Sequence, residues 1–315
     1  MPTLSTAALA LLGFTGATQV LAARREARAA RFTPPTGQDV EVDGRRLHVE
    51  ELGDSGPDLV LIHGSSGNIR DFTQRLAPEL ARRYRVFVVD RPGFGWSDPL
   101  PGGGGLVEQA AAIQAAVAAL GAQRPLVLGH SYGGAVALAW AATRPGTLAG
   151  VLPLSGVAYP WDTGIGAFYT VLSHPLGLAL AIPLLTAFTP TPVIHSEIGK
   201  VFRPQPAPKG YVDHFGPDLT LRRRQMRTNA RQRRALLAEV EALSPRWRDI
   251  AVPIEVVHGT ADDIVPIEIH AERLAAELPG ARLTRLDGIG HAPHHTAIPE
   301  VIAAIDRLAI RADVN

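Results

Sequence analysis

Three features of the chain predict an α/β fold built on an eight-stranded, mostly parallel, doubly wound sheet. Short apolar runs alternate with helical stretches along most of the sequence, an order that places parallel strands beneath crossover helices. Several of these runs lack the polar alternation of a half-exposed strand, so both faces of the sheet are expected to be covered. A tight Gly-x-Ser-x-Gly turn, Gly129-His130-Ser131-Tyr132-Gly133, joins the apolar run 125–128 to an apolar helix over 135–141.

The 315 residues accommodate one large α/β domain with an insertion, and the 46% hydrophobic fraction is ample for a sizeable core. A net charge of +1 argues against generic nucleic-acid binding. Cysteine is absent, which excludes disulfides, thiolate catalysis and Cys-ligated metals.

The amino terminus reads separately from this fold. No charged residue occurs from Leu4 to Ala23, and about twenty uncharged residues can cross a bilayer as a helix. No Lys or Arg precedes the run, where a signal peptide carries its positive region, whereas Arg24, Arg25, Arg28 and Arg31 follow it directly. Residues 1–36 are therefore expected to be a retained single-pass membrane anchor and linker outside the folded domain. The positive-inside rule then places the folded domain on the cytoplasmic face. The alternatives are a surface helix or a secretory signal cleaved near Ala22-Ala23, which would leave the protein secreted or periplasmic.

Residues 40–50 alternate apolar and polar on both sides of Asp43-Gly44, a hairpin signal expected at an antiparallel edge. Asp58-Leu59-Val60-Leu61-Ile62 reads as a buried strand that runs into His63-Gly64-Ser65-Ser66-Gly67, where an open α/β sheet presents backbone to a ligand. A helix is expected over 71–82 and a buried strand over 84–90. A glycine loop at 101–105 and a helix over 106–120 lead to the Ser131 turn, after which comes a strand over 148–154. From about 156 to 245 the alternation breaks: prolines become frequent, apolar periodicity turns helical over 176–185, and seven arginines crowd the stretch 221–234. A long insertion between two core strands usually builds a lid. Strand 254–259, helix 267–278, strand 282–286 and helix 297–310 complete the chain. The expected organisation is a core of 38–155 and 246–315 with a helical lid at 156–245.

A serine hydroxyl is a poor nucleophile at neutral pH and needs an adjacent base, together with a group that holds that base in the right tautomer. Asp262, in Gly259-Thr260-Ala261-Asp262-Asp263-Ile264-Val265-Pro266, lies just past a late strand, and His291 lies past the last one. The order serine, aspartate, histidine is the one that accompanies a nucleophile elbow. The flanking glycines have a steric role, since strand and helix can close on each other only where no Cβ intervenes.

At these residues the chain resembles the α/β-hydrolase superfamily, in its lid-bearing esterase, cofactor-free haloperoxidase and epoxide-hydrolase-like branch, over about residues 38–311. Four motifs in order carry the likeness: His63-Gly64, Asp90-Arg91-Pro92-Gly93-Phe94-Gly95-Trp96-Ser97, the Ser131 turn, and Gly259 to Pro266 with His291. The resemblance implies Ser131 as nucleophile, His291 as general base and Asp262 as orienting acid. It further implies an oxyanion hole from the backbone N–H groups of Tyr132 and Ser65, and no cofactor or metal. Asp263 is the rival acid, but the family spacing favours Asp262; Ser155 occupies the other position where some members carry the acid. His294 and His295 read as solvent-facing or lid contacts rather than metal ligands. His63 is expected to shape the oxyanion loop by hydrogen bonding, and Asp90 and Ser97 to be structural. Epoxide hydrolases carry aspartate at position 131, so a serine there implies attack on the acyl carbonyl of a small apolar ester or thioester. Perhydrolysis, carbon–carbon bond hydrolysis of a diketone and a catalytically silent binding scaffold are the alternatives. The arginine-rich lid reads either as a surface for anionic lipid or an acidic substrate, or as a solvated helix face.

Overall fold

The computed structural model describes residues 6–162, 164 and 166–314; residues 4 and 5 of the uncharged run and Thr163 and Ile165 of the expected lid lie outside these. The chain opens with α1 (Thr6–Phe32), followed by β1 (Gln38–Val42), β2 (Arg45–Leu52), β3 (Asp58–Ile62), α2 (Arg70–Thr73), α3 (Leu76–Leu80) and β4 (Arg85–Val89). Next come α4 (Leu106–Ala119), β5 (Leu126–His130), α5 (Tyr132–Thr143) and β6 (Gly150–Leu154). The expected lid segment holds α6 (Ala167–Ser173), a π-helical turn (Gly177–Ala181), α7 (Ile182–Phe188), α8 (Thr191–Val201), α9 (Tyr211–Phe215) and α10 (Arg223–Leu243). The chain closes through β7 (Ile254–Gly259), α11 (Arg273–Glu277), β8 (Ala281–Leu286), α12 (Pro293–Thr296) and α13 (Ile298–Arg311).

The sheet has eight strands in the order β1-β2-β4-β3-β5-β6-β7-β8. The β1–β2 and β2–β4 pairs are antiparallel, and every other pair is parallel. At the hairpin, Asp43 and Gly44 both take positive φ (50° and 72°), the turn geometry whose twist matches a sheet edge. Strands β5 and β6 are buried along their whole length, which is why their sequences show no polar alternation. On one face Ile113 and Val117 of α4 and Val136 of α5 pack on the sheet; on the other lie Phe72, Leu76, Val301 and Ile305. Helix α5 is buried from Tyr132 to Ala142, so it carries no polar stripe.

The helix expected over 71–82 is interrupted at Gln74-Arg75, and the cause is Pro78. Proline has no N–H for an interior helical bond, so the chain breaks at Arg75 (φ −141°) and restarts with Pro78 inside the first turn of α3.

The expectation that residues 1–36 lie outside the fold is corrected. Thr18, Ala22 and Ala29 of α1 are buried, and the helix packs against α7 of the expected lid segment. Arg25 Nε and Nη2 donate to Asp218 Oδ1 (3.1 and 2.9 Å), while Arg223 Nη2 donates to Glu26 Oε2 (2.7 Å). Phe14 stacks on Phe188 of α7 with ring centroids 6.5 Å apart. Small side chains and pairable charges recur on one helical stripe, and that stripe seats α1; the uncharged run alone does not reveal it. Among the described residues no single helix is long and apolar enough to cross a membrane.

Candidate active site

Ser131 stands between the end of β5 and the start of α5 with φ 54° and ψ −118°, a conformation that costs a non-glycine residue about 1–3 kcal/mol. The surroundings over-determine it. A Cβ on Gly129 would lie 2.0 Å from the Gly133 carbonyl oxygen, and one on Gly133 would lie 2.2 Å from that of Ile62. Ser131 N–H donates to Leu154 O (3.0 Å), and its carbonyl accepts Val157 N–H (3.1 Å), so the end of β6 pins the turn.

Asp262 and His291 meet at the neighbouring strand ends. His291 Nδ1 is 2.8 Å from Asp262 Oδ2, and both groups are buried. The other oxygen, Oδ1, accepts Ile264 N–H (3.0 Å) and Val265 N–H (2.9 Å), which fixes the carboxylate plane. Burial alone would raise the Asp262 pKa, but the imidazoles of His291 and His258 hold the carboxyl far below the usual range. His258 Nε2 is 3.2 Å from Asp262 Oδ2 and 2.8 Å from Val265 O, a partner the sequence did not announce. Asp263 is exposed and makes no part of this network.

The loop 63–67 approaches Ser131 from β3. Burial and the nearby Arg91 push the His63 imidazole down to about 3, so the ring is neutral. Its Nδ1 bonds Gly64 O (2.9 Å) and its Nε2 accepts Arg91 N–H (3.0 Å), so it shapes the loop by hydrogen bonding. Arg91, fully buried, donates to His63 O (2.9 Å), Gly64 O (3.0 Å), Gln109 Oε1 (2.7 Å) and Gln232 Oε1 (2.8 Å). Its guanidinium also lies 4.3 Å from the Tyr132 ring centroid. The Tyr132 phenol is thus committed to packing. As the first residue of α5, its backbone N–H is one of the four that a helix leaves without an internal acceptor. Asn229 of α10 accepts Ser66 N–H (3.2 Å) and donates to Ser66 Oγ (2.9 Å), tying the lid to the same loop. Asp90 accepts Ile69 N–H and Trp96 N–H (2.9 Å each), and Ser97 Oγ donates to Asp90 O (2.6 Å).

Arg91 is the residue here that sequence reading passed over, although it stands inside the quoted Asp90-Arg91-Pro92-Gly93 motif. Replacing it with Leu would leave three buried acceptors, His63 O, Gln109 Oε1 and Gln232 Oε1, without this donor. The expected cost is about 3 kcal/mol, seen as a fall of roughly 5–10 °C in thermal midpoint by circular dichroism. An unchanged midpoint would show that the guanidinium does not hold the loop.

His294 and His295 are buried, which corrects the solvent-facing alternative; the tyrosine that meets them comes from the lid. Asp71 Oδ1 accepts Tyr211 O–H (2.7 Å) and lies 3.2 Å from His295 Nε2 and 3.3 Å from His294 Nε2. Against the effect of burial, the His294 and His295 rings hold the Asp71 carboxyl well below its usual range, while burial pushes His294 down to about 4. The ligand atoms of Asp71, His294 and His295 lie within 4.8 Å of one another. The carboxylate is nonetheless already engaged by hydrogen-bond donors, as a buried acid should be.

Ser131, His291, Ser65 and His130 line one cavity of about 790 Å³, whose remaining wall is largely apolar and comes from the lid, including Leu172, Leu185 and Met226. A strained elbow serine and an aspartate-bound imidazole facing an apolar cavity beneath a helical lid define the hydrolase class of α/β proteins. The model of the Alpha/beta hydrolase family matches residues 59–304, and the chain belongs to that family. It is 30% identical over 269 residues to the pimeloyl-[acyl-carrier protein] methyl ester esterase of Aromatoleum aromaticum, covering 75% of this chain and 92% of that one. It is 25% identical over 274 residues to a 2-hydroxy-6-oxononadienedioate/2-hydroxy-6-oxononatrienedioate hydrolase of Cupriavidus pinatubonensis, covering 84% and 90%. Among solved structures, an alpha/beta hydrolase fold protein from Burkholderia ambifaria superposes with a TM-score of 0.68 at 25% identity, over 85% of this chain and 96% of that one.

Proposed function

We propose that the protein is a serine hydrolase that cleaves an acyl ester through an acyl-enzyme. The observation that carries the reading is the 2.8 Å contact of His291 Nδ1 with Asp262, at a ring that lines the same cavity as the elbow serine. The carboxylate requires the proton on Nδ1, which leaves Nε2 as the basic nitrogen. Ser131 Oγ attacks the acyl carbon while its proton passes to His291 Nε2, and the carbonyl oxygen gains the charge. Donors for that oxyanion are the backbone N–H groups of Tyr132 and Ser65, each worth about 3 kcal/mol in the transition state. His291 then returns the proton to the departing alcohol, and a water activated by the same nitrogen releases the acid. The apolar lining favours an apolar acyl chain.

A second reading, carbon–carbon bond hydrolysis by the same residues, is favoured by the Cupriavidus relative and by Arg233. This arginine lines the cavity with its buried Nε unpaired, a donor suited to a substrate carboxylate. Turnover of a p-nitrophenyl ester series from acetate to dodecanoate, set beside a vinylogous diketone acid, separates the two. The expected result is ester turnover with an optimum at intermediate or long chains, and active-site labelling by a fluorophosphonate probe. Turnover of the diketone alone would move the assignment to the second reading, and neither turnover nor labelling would end both.

A further inference from the structure

The helix that docks on the lid leaves much of its own surface uncovered. Leu9, Leu12 and Phe14 of α1 are exposed although apolar, and Phe14 stacks on the equally exposed Phe188 of α7. From α7 the surface continues through the π-helical turn and its approach, where Leu180 is 55% and Leu176 64% exposed, to α6, which packs against that turn. An apolar surface continued from helix to helix in this way is far more than the scattered exposed leucines of a soluble domain. The hairpin of α6 with the π turn and α7 is apolar enough in composition to enter a bilayer, but it bends by 90° and so presents a knuckle rather than a span.

Charge identifies what covers this face. The charged residues of α1 that form ion pairs, Arg25 and Glu26, do so with Asp218 and Arg223 of the lid. Arg24, Arg28 and Arg31 are exposed, and their spacing of four and then three residues stacks them in one stripe. Leu12 and Arg24 are separated by about 18 Å along the helix at 1.5 Å per residue. An inclined α1 whose first turns reach the acyl region therefore carries its arginines at the level of the headgroups. The cavity opens on this same face: Phe168 (55% exposed) and Val193 (47%) belong both to the apolar surface and to the wall of the cavity that holds Ser131.

We propose that α1 and the lid together form a monotopic docking face for an anionic bilayer, through which a lipid-phase acyl ester enters the cavity of Ser131. The second half of this statement rests on the hydrolase reading above; the first does not. It replaces the single-pass anchor with a helix that lies in the interface, because one stripe of α1 is committed to the lid.

Flotation of the full-length chain with vesicles tests the docking, using phosphatidylcholine alone and phosphatidylcholine with a quarter phosphatidylglycerol. The protein is expected to float with the anionic vesicles at least ~10-fold better, to lose this preference at high salt, and to be released by alkaline carbonate. The double variant L176E/L180E, whose positions are not in the cavity wall, is expected to float ~10-fold less with an unchanged thermal midpoint. Its turnover of a long-chain ester carried in vesicles, divided by turnover of a soluble acetate ester, should fall by a similar factor. Ser131→Ala is expected to float like the parent, so a failed hydrolase reading leaves the docking result intact. No flotation of the parent chain, flotation undiminished in L176E/L180E, or a solution dimer that hides the face and ignores vesicles would each overturn the proposal. Retention after carbonate would replace the interfacial helix with a true span.

Discussion

Ser131→Ala is expected to lower kcat for the preferred p-nitrophenyl ester by about 10⁴- to 10⁶-fold while barely moving the thermal midpoint. The activity loss follows because no second hydroxyl can take over at the same place. Ser131 lines the cavity beside His291, whereas Ser65 stands on the loop after β3 and is assigned only a backbone N–H role.

 Stability should hold because alanine at φ 54° is strained about as much as serine, and the backbone bonds of Ser131 to Leu154 and Val157 do not involve the hydroxyl. The check is steady-state turnover beside fluorophosphonate labelling and a thermal melt. Retained turnover with an unchanged melt would remove Ser131 from the chemistry.

Much of this site could be read from residues close together in sequence. Gly129 and Gly133 announce the elbow because a Cβ at either would strike backbone, and Asp43-Gly44 announces its hairpin because both residues take positive φ. What could not be read lies in contacts between distant segments. Arg91 meets Gln232 and Asp71 meets Tyr211 across about 140 residues of chain, and Glu26 meets Arg223 across nearly 200. Nothing in the local pattern of a buried arginine or a lone aspartate specifies such a partner. The same reason explains α1. Its lack of charge up to Ala23 is a local property and suggested an independent anchor, whereas its seat on the lid depends on Asp218 and Arg223, which periodicity within α1 does not reveal.

Asp262→Asn is expected to lower kcat by about 10⁴-fold, and Asp263→Asn by less than about twofold. The geometry around Asp262 forces the larger effect. Ile264 and Val265 both point N–H groups at Oδ1, so an asparagine must place its carbonyl oxygen there and its NH₂ toward His291. Facing a donor, His291 Nδ1 must accept, which moves the ring proton to Nε2, the nitrogen that has to take the proton of Ser131. The substitution therefore leaves every heavy atom near its place and supplies the wrong tautomer. Asp263 is exposed and outside the network, so its neutral variant changes only a solvated charge. Parallel kcat measurements on the two variants, with thermal melts to show that each is folded, decide between the neighbouring aspartates. Equal losses, or a loss confined to Asp263→Asn, would overturn the assignment of Asp262 as the residue that orients the base.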